Sequence, residues 1–146
     1  MIDVAYRFLE DAPPADVAFA ASGPSLAECF RAAADATIAA MLANPQALET
    51  RERRPAHVED DVLELALVKL LDEIVFYKDA EQLLLRAPDV AVREHEGRWI
   101  VDATLEGEAI DRARHELTGD VKAVTVHRLK VEKKGAGWEA TVVLDV

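Results

Sequence analysis

The hydrophobic period of this chain changes near Leu83, from three- and four-residue steps before it to strand patterns after it, and that change constrains the fold more than any other feature. Leu26, Cys29, Phe30, Ala33, Ala34, Thr37, Ile38, Met41 and Leu42 form one apolar stripe of about five helical turns. Ser25 precedes it with Glu28 three residues on, the spacing of a capping box, and Asn44-Pro45 ends it because proline cannot donate to the helix ladder. A second helix is expected from Glu59-Asp60-Asp61, whose acids favour the positive end of a helix dipole, with Leu63, Leu67, Leu70, Leu71 and Ile74 as its buried face. Residues 46–57 are polar, with Arg51, Arg53 and Arg54 close together, and read as an exposed strand or loop.

Strands are expected on either side of these helices. Tyr6 and Phe8, then Val17, Phe19 and Ala21, alternate at period two around the loop Glu10-Asp11-Ala12-Pro13-Pro14. Residues 83–94 and 99–106 flank Glu96-Gly97-Arg98 as a hairpin would, a polar linker covers 107–120, and strands are expected at 121–131 and 138–145 around a turn at 133–137. The expected fold is therefore α+β, one domain over residues 1–146, with two main helices packed on one face of a largely antiparallel sheet.

Composition narrows the function. Acidic residues outnumber basic ones by 28 to 17, a formal net charge of −11, and a surface of that sign repels phosphate backbones. Direct, broad nucleic-acid binding is disfavoured. Cys29 has no second cysteine to pair with, and no stretch reaches the run of about 20 apolar residues that spans a bilayer. The N-terminal residues lack a secretory pattern, so a cytoplasmic protein without a membrane role is expected.

Strong catalytic signatures are absent: there is no P-loop, no glycine-rich dinucleotide turn, no HExxH and no GxSxG. Cys29 lies on the apolar stripe and reads as a core cysteine. His57, His95, His115 and His127 are scattered with no i, i+4 pair, and Glu49, Glu52, Glu59, Asp60 and Glu64 read as solvated carboxylates. Two acids are placed differently. Asp16 follows the double proline at the entry to a strand, and Asp145 ends the apolar run Val142-Val143-Leu144 beside the α-carboxylate of Val146. Like charges as close as those of Asp145 and Val146 are costly unless a cation or a positive side chain sits between them, and hard oxygen ligands suit Ca²⁺ or Mg²⁺ over zinc. A strand-terminal aspartate that merely faces water at a fraying end gives the same pattern.

The run Lys122-Ala123-Val124-Thr125-Val126-His127, preceded by Gly107-Glu108, Asp111 and His115 and closed by residues 138–146 ending Asp145-Val146, resembles the archease family. The turn ending in Asp16, Gly23 before the Ser25 helix, and the acidic start of the second helix follow in family order, so the resemblance spans essentially the whole chain. It implies an accessory protein, not an enzyme, that helps an RtcB-type RNA ligase acquire its guanylyl group from GTP and turn over repeatedly in tRNA splicing and RNA repair. RNA would be reached only through the ligase. The resemblance also implies a divalent-metal site, with Ca²⁺ expected and Mg²⁺ or Mn²⁺ as alternatives, held by Asp16, Asp145 and the main chain of Val146. Lys122 and His127 are candidates for partner contact or support of the site. Where the family turn presents His-Thr-(Ala/Ser)-Asp, this chain has Pro13-Pro14-Ala15-Asp16, which keeps the aspartate and loses the histidine; Val126 stands where a tyrosine is usual. Two rival readings remain. One is an independent metal-assisted hydrolase using Asp16 and Asp145 with His127 or His115 as base, and the other a metal-free interaction or chaperone-like module.

Overall fold

The computed structural model describes residues 5–12 and 16–146. Among these, eight strands and two α-helices follow the order β1 (Tyr6–Leu9), β2 (Asp16–Gly23), α1 (Leu26–Ala39), β3 (Glu52–Asp60), α2 (Leu63–Glu81), β4 (Leu83–His95), β5 (Arg98–Ala109), β6 (Ala123–Val124), β7 (Lys130–Lys134) and β8 (Gly137–Asp145). This is an α+β fold in which the strands divide between two antiparallel sheets. The first runs β1-β2-β8, with β6 and β7 sharing the far edge of β8, and the second runs β3-β5-β4. Helix α1 packs against β1, β2 and β8 of the first sheet and β4 of the second, while α2 packs against β3, β4 and β5 and reaches β6 and β7. The helices thus join the two sheets through one apolar core that includes Phe19, Phe30, Ile38, Leu67, Leu71, Leu85 and Leu105.

Local chemistry accounts for most element ends. Ser25 caps α1, its hydroxyl oxygen accepting from the Glu28 amide at 3.2 Å. The helix stops at Ala39, three residues before the stripe does. Met41 and Leu42 stay fully buried, but the chain there leaves the helix axis: the Thr118 amide donates to the Met41 carbonyl, the Ala43 amide to Glu116, and Leu42 bridges to Leu117. Helix α2 starts at Leu63, not in the acidic triplet. Glu59 and Asp60 complete β3, and the Asp60 carboxylate accepts from the Val62 amide at 2.8 Å, a local turn that wins over helical backbone. The β4–β5 hairpin closes on Glu96 (φ 51°) and Gly97 (φ 78°), the pair of positive φ values of a type I′ turn.

The expected strand at 121–131 is interrupted. Only Ala123–Val124 and Lys130–Lys134 are strand, because Thr125 turns the chain: its hydroxyl and amide both donate to the Val143 carbonyl (2.9 and 3.0 Å), and its hydroxyl oxygen accepts from the His127 amide at 3.3 Å. Val126, whose alternation with Val124 suggested a continuing strand, is 64% exposed in the resulting loop. The polar linker at 107–120 is also shorter than its composition suggests, since Gly107, Glu108 and Ala109 extend β5.

Gly107 faces Leu85 across the β4–β5 ladder, and a Cβ there would lie 1.8 Å from the Leu84 carbonyl oxygen. No side-chain motion relieves a clash with backbone. Gly107→Ala is therefore expected to destabilise the fold by about 3 kcal/mol or more, read as a lowered midpoint in thermal circular dichroism; an unchanged midpoint would contradict this register.

Candidate metal centre

Strands β2 and β8 pair so that Asp16 faces Asp145, Val17 faces Leu144 and Ala18 faces Val143. Directly opposed residues point to the same side of a sheet, so the two carboxylates share one face while Val17 and Leu144 turn to the core. The carbonyls of Val143 and Asp145 point away from β2, to the Thr125 amide at 3.0 Å and the Lys122 amide at 2.7 Å. That makes Asp16–Asp145 a non-hydrogen-bonded pair, the kind whose Cα atoms approach to about 4.5 Å and whose side chains lie closest. Like charges facing each other this way destabilise a sheet. Among the described residues, none of the ion pairs includes Asp16, Asp145 or the Val146 carboxylate.

Val146 follows directly, half-buried against the core. Among the described residues no third His, Cys, Asp or Glu side chain joins the two aspartates. The half-buried carboxylates of Asp16 and Asp145 offer oxygen donors on one face of the sheet, with no ion-pair partner among the described residues, and oxygen donors are of the type that suits a hard divalent ion. Lys122 is exposed and bonds Asp145 through its main chain; His127 is exposed in the β6–β7 loop. That loop reaches across the end of the sheet, where Arg128 pairs with Asp11 of the β1–β2 turn (Nη1 to Oδ2, 3.4 Å) and bonds its carbonyl at 3.3 Å. The turn residues Pro13, Pro14 and Ala15, where the family histidine is lost, lie outside the described residues.

The other candidates resolve into structural roles. Cys29 is fully buried, and burial pushes its thiol up to about 11, so it is an unreactive core residue. His115 is buried with both ring nitrogens engaged, Nδ1 by the Asp111 amide at 2.9 Å and Nε2 by Glu108 at 3.1 Å, so its ring is held as a structural link between those two residues. A cleft of about 650 Å³ lined by Met41, Lys78, Gln82, Arg112, Leu117 and Asp120 includes neither Asp16 nor Asp145.

Comparison with known proteins agrees with this architecture. The profile of the Archease protein family (MTH1598/TM1083) matches residues 6–146. The chain belongs to the archease family. It is 35% identical to protein archease of Pyrococcus abyssi over 133 residues, 90% of this chain and 93% of that one, and 36% identical to protein archease of Pyrobaculum calidifontis over 143 residues, 97% and 95%. The solution structure of Methanobacterium thermoautotrophicum protein 1598 superposes with a TM-score of 0.84 at 29% identity, covering 99% of this chain and 100% of that one. An archease from Thermotoga maritima, described as a possible chaperone, shares the fold at a TM-score of 0.59 and 18% identity over 92% of this chain and 93% of its own. No helix among the described residues of this archease is long and apolar enough to cross a membrane.

Three charged groups escaped the sequence reading. Glu108 is almost fully buried; its carboxylate accepts from the Glu49 amide at 2.8 Å and pairs with Arg114 and His115. His57 bridges Asp102 (2.5 Å) and Glu59 (2.7 Å) on the second sheet, and its bonds to Asp102 and then Glu59 raise its pKa against the opposing effect of desolvation. Lys78 is buried near the end of α2. Only Lys78 had a sequence signal, since it continues the Leu67, Leu71, Ile74 stripe where an apolar residue is expected.

Burial alone would raise the Glu108 pKa, but the Glu49 amide, Arg114 and His115 override it and bring it from 4.5 to about 2. A carboxyl lowered on folding contributes stability that is complete above its unfolded pKa and is lost as pH falls toward its folded one. Glu108→Gln should therefore cost about 1–3 kcal/mol at pH 7, and its deficit relative to the parent chain should shrink between pH 4.5 and about 2. Urea melts across that window check this, and a pH-independent deficit would contradict it.

Proposed function

We propose that this archease is an accessory protein of an RtcB-type RNA ligase, binding Ca²⁺ through Asp16, Asp145 and the main chain of Val146 and promoting guanylylation of the ligase by GTP and its repeated turnover in tRNA splicing and RNA repair. The observation that supports this most is the face-to-face pair Asp16–Asp145, which gathers negative charge at one end of a sheet without a cation among the described residues. When bound, a divalent ion would neutralise these carboxylates and offer a positive centre to an acceptor on the partner. The chain's own residues do the rest. β2 and β8 hold the two carboxylates on one face, Arg128 and Asp11 tie the loops that flank them, and Val126 and His127 lie exposed in one of those loops.

The charge balance supports a division of labour. A chain of net charge −11 is a poor RNA binder, yet its charge would steer it to a basic ligase that itself holds the RNA. Of the two bases the hydrolase reading could use, His115 has both ring nitrogens already bonded, by the Asp111 amide and by Glu108, which leaves that reading to the exposed His127. The description of the Thermotoga maritima relative as a possible chaperone is consistent with a protein that acts on another protein.

Two measurements test this reading. In calorimetric titration, Asp145→Asn should weaken Ca²⁺ binding about 10-fold or more through loss of a charged ligand. In metal-free buffer the same substitution should raise the thermal midpoint, because it removes a like-charge pair worth about 0.2–1 kcal/mol. Equal affinity in both chains would sink the metal assignment. In a reconstituted reaction with substoichiometric RtcB-type ligase, adding the parent chain should increase the number of ligations per enzyme and Asp145→Asn should not; an unchanged turnover number with the parent chain would end the accessory-factor reading.

A further inference from the structure

Lys78 is 8% exposed and sits in the last turn of α2, where a cation interacts favourably with the helix dipole. Its Nζ donates to the Asp120 carboxylate and to the Val121 carbonyl at 2.8 Å, and forms an ion pair with the Asp79 carboxylate at 2.6 Å. Burial alone would lower its pKa, but Asp120 and Asp79 more than offset this, and the group stays protonated. The acids that balance it are largely exposed, so the ammonium is the buried member of the cluster.

The Val121 carbonyl belongs to the same peptide unit as the Lys122 N–H, and that N–H donates to the Asp145 carbonyl at 2.7 Å. One planar unit therefore has its oxygen on a charged donor from α2 and its N–H on the residue that carries the candidate metal ligand. Because the peptide is rigid and trans, fixing one end fixes the other. A cationic donor on the carbonyl also polarises the unit and strengthens the bond its N–H makes. Val121 is fully buried, which closes off sliding of the segment. Upstream, backbone bonds tie the segment to the stretch that follows α1, the Thr118 amide donating to the Met41 carbonyl and the Ala43 amide to the Glu116 carbonyl.

We infer that Lys78 is a positioning residue for the Asp16–Asp145 pair, acting through the Val121–Lys122 peptide to hold the Asp145 backbone and so set where its carboxylate and the Val146 main chain lie for a divalent cation. The inference rests on the metal reading above and adds to it a residue on the far side of the peptide from the site. It also explains a lysine on an otherwise apolar helix face.

The test uses the full chain and two readouts. Lys78→Met keeps the length and apolar stem of the side chain and removes the donor. Hydrogen exchange at the Lys122 amide, followed by NMR, should accelerate about 10-fold or more in this variant, and its Ca²⁺ affinity by calorimetry should fall by about 10-fold, the lower end for groups that orient a metal ligand. Lys78→Arg, which restores a charged donor, should recover part of both. Faster exchange at Lys122 with unchanged Ca²⁺ affinity would overturn the positioning role while leaving the metal reading intact, whereas no Ca²⁺ uptake by the parent chain would remove the metal reading and this inference with it. Should Lys78→Met not fold, reciprocity supplies the same test in the parent chain. Saturating Ca²⁺ should slow exchange at Lys122 more than at amides of β3 in the other sheet, and equal slowing in both would contradict the coupling.

Discussion

The antiparallel register of β2 on β8 is the constraint on which the rest depends. Phe19 against Val142 and Val17 against Leu144 are core partners, and a slip of one residue would turn this set outward. The same register delivers Asp16 opposite Asp145. Burial of the apolar face thus fixes the acid pair, and the repulsion between the two carboxylates is a local cost carried by the packing behind them. Sites that break a local rule while the surrounding structure holds them in place are where function is sought.

Around that pair the molecule separates its charges by role. Glu108, Arg114 and His115 form a buried cluster that fastens the 108–116 segment to the chain around Glu49. Lys78, Asp79 and Asp120 fasten the next segment to α2. Both clusters satisfy their polar atoms internally: among the described residues no buried side-chain nitrogen or oxygen lacks a partner. Asp16 and Asp145 differ in being half-buried, facing each other, and outside every ion pair among the described residues. That contrast supports the proposal of a cation site at this end of the sheet.

Much of this was legible before any coordinates because it is local. The Ser25 cap, the stripe of α1, the Gly97 hairpin, core Cys29 and the placing of Asp16 and Asp145 at strand ends all follow from spacing and backbone chemistry. What escaped is long-range or rests on competition between bonds. Alternation shows that a strand exists, and not which sheet it joins, so the division into two sheets was hidden. Thr125 ends β6 because its hydroxyl competes for a ladder carbonyl, and Asp60 ends β3 by a side-chain bond to Val62. Neither competition is visible in a period. The proposed metal-ligand set came from resemblance, and the geometry adds that the two aspartates face one another.

The central claim is that one end of the first sheet is built to hold a divalent cation between Asp16 and Asp145. Crystals of the full chain grown with Mn²⁺, a hard-ligand substitute with anomalous scattering, test it most directly. The account predicts an anomalous peak bounded by the carboxylates of Asp16 and Asp145 and the main-chain oxygen of Val146, at oxygen-ligand distance from each. A structure with Mn²⁺ in the crystal, both aspartates ordered and no peak between them, would contradict it.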